Sequence, residues 1–421
     1  MRSVNFSEDN LHVQLQYLNR NLKHLGLAEG MDLFNQKAQL AIQNLIQSTI
    51  TDEFEHKIGA RLYERTGPKR QGFRKGHYPR YLTTRFGRSE ILVPRREDAL
   101  GYPSMDYSIF DRYKRRHKEF DRMIVLSMIL GLSTRKQKRF FRQFIGDAVS
   151  PSTASRLLET LRADLNEFRI RTLQDKYKYL LIDGFWVKVK INGQVKKKVI
   201  LFVMGIDLEN KKEILAFKLA HGETEEEVSS LLNDLYRRGL KGRNLKLVGS
   251  DGAKGIKAAI AMVYPYAQWQ LCHVHALRNL ASHIRYKFKH RGPMMEEASK
   301  IYKSQTKKEA IMRFEVFCFK WQTKEPGAIK LFKQSFPDTL KFYDFPEDRD
   351  LISSTNSLER DQEEVRRRLK IQGYYQSLKS LDLWIFGIIR ELMEQRQEQP
   401  PRRLRLPKIL VMTGYESLQR S

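Results

Sequence analysis

The chain has 421 residues, with 77 Lys+Arg against 49 Asp+Glu and a formal net charge of +28. That excess calls for a polyanionic partner, nucleic acid first; because it is spread along the whole chain rather than along one amphipathic helix, an anionic membrane surface is disfavoured. Two cysteines, Cys272 and Cys318, argue against a disulfide framework, the opening MRSVNFSEDN lacks a secretory pattern, and the longest apolar run, Met123–Leu132, is too short to span a bilayer.

Residues 1–63 form the first region, helical in pattern from residue 10, with Leu33, Leu40, Ile42, Leu45, Ile46 and Ile50 near helical spacing; a packed helix or dimer helix follows from this. Residues 64–117 change character. Arg65–Arg96 holds ten Lys/Arg and one acid, with Phe73, Tyr78, Tyr81 and Phe86 interleaved, and reads as a basic β-ribbon around Gly87. Arg74, Lys75, Arg80 and Arg85 are its candidate phosphate contacts, against the alternative of a solvated charged loop. Residues 118–172 read as helices, with a turn at IGDAVS followed by a helix over SPSTASRLLETLRADLNEF. Ser150 is its expected N-cap and Pro151 its first residue, a pattern resembling a helix-turn-helix whose second helix offers Ser152, Thr153, Ser155 and Arg156 to DNA.

From residue 173 strands take over. YLLIDGFWVKVK and VKKKVILFVMGID make a hairpin about Asn192-Gly193, KEILAFKLA is a third strand, and two helix–strand pairs follow up to residue 275. The order βββαβαβ implies a mixed α/β sheet. Residues 276–345 turn helical and basic, 346–375 carry another helix, and 376–421 a C-terminal helix and basic tail.

Three carboxylates interrupt this pattern. Asp183 sits in mid-strand, where a buried carboxylate needs a cation, a metal or solvent. Asp251 ends the fourth strand, where an N-cap is the ordinary explanation and a site the other. Glu359 follows Asn356 by three residues, the spacing of a capping box, yet lies beside the buried stripe of Leu358, Val365 and Leu369. Three such groups could hold two divalent ions about 3.5–4 Å apart, as two-metal phosphoryl transfer requires, and Mg2+ suits an all-oxygen set, with Mn2+ as a substitute.

The blocks LLIDGFWVKVK, LVGSDGAKGIKAAI with QLCHVHALRN, and STNSLERDQEEVRRR resemble the catalytic blocks of Mutator-type transposases, including bacterial insertion-sequence relatives. The basic segment at 75–96 and the helix-turn-helix are similar to that family's as well, so the resemblance runs over roughly residues 50–400. It implies a ribonuclease H-like mixed-sheet catalytic domain with a helical insertion, behind a mainly helical N-terminal DNA-binding region. It implies a DDE triad of Asp183, Asp251 and Glu359, the residues that would hold the metal. It also implies a Cys-x-x-His element, here Cys272 and His275. For that pair a zinc reading lacks a second pair, since His283 and His290 are poorly spaced; a structural cysteine and a histidine near the scissile phosphate is favoured. His273, Arg278 and Asn279 are candidate DNA contacts, and Trp321 is a core residue or a base stacker.

The activity implied is binding of terminal inverted repeats, metal-dependent strand cleavage and strand transfer into target DNA. The expected partners are those DNAs and further copies of the chain, in a homodimer or larger synaptic assembly, with no membrane. The lean length suggests a prokaryotic element, and with it the cytoplasm and nucleoid as the expected compartment. A stand-alone ribonuclease H-like nuclease or resolvase, and a non-catalytic basic DNA-binding regulator, are the alternatives.

Overall fold

The computed structural model describes residues 27–64, 70–97, 105–110, 114–146, 149–191, 193–252, 254–375 and 377–398. The chain divides into two units, residues 1–160 and 161–421; the basic tail and the helical pattern expected over residues 10–26 lie outside the described residues.

The first unit opens with α1 (Leu27–Ile58). Ile46, Ile50, Phe54 and Ile58 recur every fourth position, so they share one stripe, and all are buried. Leu45, grouped with them by the sequence, is 66% exposed; one residue off the stripe means a rotation of about 100° around the helix. The ribbon follows as β1 (Phe73–Thr84) and β2 (Gly87–Glu97), antiparallel and longer than expected. The outer edge of β2 is closed by side chains from α1. Gln39, Gln43 and Gln47 donate through Nε2 to the carbonyls of Arg88, Glu90 and Leu92 at 2.7, 2.7 and 2.8 Å. Four helical residues advance about 6.0 Å and two strand residues about 6.8 Å, so the three rungs stay in step.

Three helices complete this unit: α2 (Lys118–Ile129), α3 (Thr134–Ile145) and α4 (Pro151–Leu158). Gly146 ends α3 in the left-handed conformation, and Ser150 caps α4 by accepting the Thr153 N–H. Phe120 meets Phe141 edge-on at 5.3 Å. The helix expected from Ser150 through Phe168 is broken: the cap N–H of Glu159 turns to the Arg156 and Leu157 carbonyls, a 3-10 turn spans Glu159–Leu161, and α5 (Arg162–Ile170) starts afresh.

The second unit is built on a sheet of β3 (Tyr177–Ile191), β4 (Gln194–Asp207), β5 (Lys212–Ala220), β6 (Leu247–Ser250) and β7 (Gln268–Leu271), joined after β5 by α6 (Glu225–Arg237) and after β6 by α7 (Lys254–Val263). The spatial order is β5-β4-β3-β6-β7; β4 runs antiparallel to β3 and β5, while β6 and β7 run parallel to β3. The expected mixed sheet and its βββαβαβ order are therefore present. One face, with Leu180, Ile182, Val199, Leu201 and Val203, packs on Val228, Leu232, Ile256 and Ile260 of α6 and α7.

The helical segment after β7 comprises α8 (His273–His283), α9 (Lys287–Tyr302), α10 (Lys307–Trp321) and α11 (Pro326–Ser335), then 3-10 turns and α12 (Arg349–Ile352). Trp321 is 4% exposed and donates Nε1–H to Glu297 Oε2 at 2.9 Å, so it is a core residue. The chain then returns to the sheet: α13 (Asn356–Gln372) lies on β3, β8 (Tyr374–Tyr375) pairs with the far end of β3, and α14 (Leu378–Glu398) packs on β5. Among the described residues no helix is long and apolar enough to cross a membrane.

Candidate active site

β3 brings Asp183 to the middle of the sheet, 4% exposed. The parallel register Leu181↔Gly249 puts Asp251, two residues beyond Gly249, at the level of Asp183, two beyond Leu181. Burial pushes the Asp183 carboxyl up to about 7; the His275 cation offsets this in part, and the Asp251 and Glu359 charges add to it. The N-cap explanation of Asp251 falls away, because α7 begins only at Lys254.

Glu359 arrives from α13, whose start is pinned by the residues that follow β7. Gln270 donates Nε2–H to the Ile352 carbonyl at 2.7 Å, and the Thr355 N–H donates to Cys272 Sγ at 3.4 Å. The ring of His273 meets the Ser353 carbonyl and stacks on Tyr302 at 4.8 Å. The capping box does not form: Thr355 is the N-cap, its hydroxyl caps no helix N–H but donates to Glu359 Oε1 at 3.1 Å, and Glu359 points to Arg278. Arg278 grips it with a fork, Nη1 to Oε1 at 3.1 Å and Nη2 to Oε2 at 2.7 Å. Burial would raise the Glu359 carboxyl, but Arg278, His275 and Thr355 outweigh it and hold the group below its ordinary range. Arg278, a candidate DNA contact in the sequence, thus neutralises a site carboxylate while its side chain stays 56% exposed.

Among the described residues, Cys272, His275 and Glu359 bring one ligand atom each within 4.8 Å of one another. Burial pushes the Cys272 thiol up, yet hydrogen bonds from His275 and Thr355 bring it below its usual value. Burial pushes His275 down, and Cys272, Asp183 and Glu359 reverse that to about 9. The pair is a thiol drawn towards its anion beside a histidine held as its cation. His283 and His290 do not join it: the first bonds to the Asn279 carbonyl and the second to Glu325.

A fourth carboxylate, absent from the sequence reading, belongs to the pocket. Glu223 lies in the loop between β5 and α6; burial raises its pKa, followed by the charges of Asp251 and Asp183 and a hydrogen bond with Asp251. Two glycines of the quoted motifs make room for it. A Cβ on Gly184 would stand 2.9 Å from Glu223 Oε1, and one on Gly255 would stand 2.9 Å from the Glu223 carbonyl and 2.5 Å from the Glu225 nitrogen. Thr224 caps α6 by accepting the Glu227 N–H at 3.3 Å, and Glu227 is held in turn by Lys218 at 2.8 Å, which fixes the loop. Glu223 was hidden in the run ETEEE, which reads as a solvated helix start. The glycine after Asp183 was the available signal.

The candidate DNA contacts of the first unit are variously engaged. Arg74 pairs with Glu55 at 3.0 Å, donates to the Ala60 carbonyl and packs on Phe54. Lys75 reaches Glu97 at 3.4 Å on the surface. Arg80 bonds the Lys114 carbonyl and stacks on Phe110, and Arg85 lies 3.6 Å from Glu119 and over Phe86. On the ribbon, Arg88 lies over Tyr81 and Arg95 over Tyr78, so cations and rings alternate. At the start of α4, Ser152 meets Ser150 at 2.9 Å, Arg156 reaches Thr153 at 3.5 Å, and Ser155 is half-buried.

The sheet and its pocket define an α/β protein with carboxylates converging at the centre of a mixed sheet and a helical segment inserted before the last of them. The family described as Transposase, Mutator family, matches residues 13–399, and the chain belongs to it. It is 33% identical over 340 residues to the transposase for insertion sequence element ISRM5 of Rhizobium meliloti, covering 80% of this chain and 83% of that protein. It is also 33% identical over 343 residues to the transposase for insertion sequence element IS256 in transposon Tn4001 of Staphylococcus aureus, covering 80% of this chain and 85% of the relative. Among solved structures, the Drosophila P element transposase strand transfer complex is 11% identical, covering 66% of this chain and 79% of that one, with a TM-score of 0.31, too low to carry an argument.

Proposed function

We propose that this transposase cuts and joins DNA in the pocket of Asp183, Asp251 and Glu359, binding the terminal inverted repeats of its own element and transferring their 3′ ends to target DNA. The observation that carries the reading is the level at which strand register sets Asp251 beside Asp183, a buried carboxyl raised first by burial and then by the charges of Asp251 and Glu359. The sheet order and strand senses support a ribonuclease H-like domain, with the segment after β7 as its helical insertion.

The donor set fits a hard divalent cation. It is all oxygen, and burial together with the neighbouring carboxylates raises Asp183 and Glu223. Mg2+ held there supplies Lewis acidity for in-line displacement at phosphorus. Asp183, Asp251 and Glu359 would hold it, with Glu223 as a supplementary ligand. Arg278 and the His275 cation sit beside Glu359 and suit a phosphate entering the pocket. Cys272 acts through Thr355, by holding the start of the glutamate helix.

The basic ribbon and the α3–α4 pair are the candidate repeat-binding elements. Holding two ends at once requires a dimer or larger assembly, and the place of action is the bacterial nucleoid. The test is cleavage of the element's own end DNA with Mg2+, wild type against Glu359→Gln. Cleavage without joining of a 3′-OH end would favour a nuclease, and no Mg2+-dependent cleavage would favour a DNA-binding regulator.

A further inference from the structure

The far half of the β3–β4 hairpin has no part in the pocket, yet its composition is peculiar. Between Gly184 and Ile206 there are five lysines and no acid. Beyond Gly184 the burial of β3 alternates, with Val187 and Val189 inside and Trp186, Lys188 and Lys190 outside. In the antiparallel register Lys188 lies directly opposite Lys197, so both side chains leave the same face. Lys197 Nζ sits 4.4 Å from the centre of the Trp186 ring, which is 45% exposed. One face of the hairpin thus presents Trp186, Lys188, Lys190 and Lys197 together. Among the described residues none of these lysines has an acidic partner within ion-pair distance. Like charges directly across a strand pair disfavour the hairpin. Their presence needs a compensating anion from outside the fold.

We propose that this face is a docking surface for the backbone of target DNA. Three observations favour the target over the element's ends. The cations are all lysines, which contact phosphate as point charges, and the face offers no arginine, asparagine or glutamine to read base edges. Such a surface is indifferent to sequence, as a target site is. It also belongs to the strand that carries Asp183: Trp186 is three residues further on, about 10 Å at the usual rise per residue, with its side chain on the face opposite that of Asp183 and on the same face as Gly184, against which Glu223 packs. A duplex lying on the hairpin therefore passes close to the pocket, which suits the acceptor in strand transfer. The basic ribbon and helices of the first unit are left for the ends. The inference rests on the proposed strand-transfer activity for its biological meaning, although the DNA contact itself does not.

The experiment compares the full-length protein with the triple variant Lys188→Gln, Lys190→Gln, Lys197→Gln. One arm measures binding to a duplex of unrelated sequence against salt. Each lysine lost should lower the slope of log affinity on log salt by about 0.9. A second arm measures, in one reaction, end cleavage and transfer of the cut ends into a plasmid. The ratio of transfer to cleavage should fall about tenfold, the loss expected when phosphate contacts to one of the two DNAs are removed. A photoreactive residue in place of Trp186 should crosslink to the target strand. An unchanged slope with an unchanged ratio overturns the proposal. So does a variant that loses cleavage and transfer equally while the Trp186 crosslink forms on end DNA. If the wild type fails to cleave its ends, the proposed activity falls, and the salt slope and crosslink still decide the surface.

Discussion

At the scale of single residues, Asp183 was legible because nothing else explains it: a carboxylate in an apolar strand has no structural recommendation. Glu223 was illegible because its neighbours in sequence are also acids, and only the fold separates the one turned inward from those left in solvent. Arg278 looked like a surface cation because its partner is 81 residues away. The pocket's charge state leads to a prediction for the metal-free protein. Asp183, ordinarily near 3.8, is pushed up to about 7. Between those values the folded state holds a proton that the unfolded chain has lost, so stability falls as pH rises across that window. His275, raised to about 9, adds stability below its ordinary value that is lost as pH rises through 9. Melting temperature without metal should therefore drop from pH 5 to pH 8. Asp183→Asn should flatten the first part of that drop and raise the melting temperature at pH 8, while abolishing cleavage. Mg2+ should stabilise the wild type more at pH 8 than at pH 6, and should leave the Asn variant nearly unmoved; equal shifts in both proteins would remove Asp183 from the ligand set. Glu223→Gln should weaken Mn2+ binding measured by calorimetry and lower the cleavage rate by a smaller factor than Glu359→Gln does. A substitution at Gly184 acts on the same group: Gly184→Ala should displace the Glu223 carboxylate and reproduce the Glu223→Gln loss of Mn2+ affinity.

At the scale of elements, the sequence carried the strands of the second unit well, since hairpin chemistry and apolar runs are local signals. It carried α4 less well. A continuous helical pattern from Ser150 to Phe168 gives no warning of the 3-10 turn at Glu159–Leu161, because the winding changes without a Gly or Pro. Glu359 shows the converse: a capping-box spacing was present and the box was not formed, since a bidentate arginine outcompetes a backbone N–H for a carboxylate. The glutamine ladder between α1 and β2 was equally out of reach, although its period of four is plain once the partner strand is known. Each rung satisfies a carbonyl that would otherwise lie on an open sheet edge, and a hydrogen bond of this kind contributes about 0.5–1.5 kcal/mol. Gln47 is the rung that also accepts, from the Leu92 N–H at 2.8 Å. Gln47→Ala should destabilise the first unit by about 1 kcal/mol. Hydrogen exchange at the Leu92 amide should accelerate more than at its neighbours. If Leu92 stays as protected as in the wild type, the ladder does not hold the edge in solution.

At the scale of the molecule, the net charge of +28 sets two responses to salt that run in opposite directions. Alone, the chain repels itself, and screening relieves this: the Debye length falls from about 10 Å at 0.1 M to about 3 Å at 1 M. With DNA, the same salt competes for the phosphates and weakens binding steeply. The melting temperature of the free protein should therefore rise with KCl, whereas that of the DNA complex should start higher and decline towards it, so that the two curves converge. Local pairing does not cancel the excess, because many of the ion pairs, such as Lys300–Glu296 and Lys211–Glu209, are exposed and each is worth little. Removing lysines from the β3–β4 hairpin should raise the salt-free melting temperature of the protein alone and shrink the stabilisation by unrelated duplex. A hairpin variant whose free melting temperature is unchanged, or lowered, would mean that the lysine face is stabilised within the fold after all, and that its charge was not held in reserve for a polyanion.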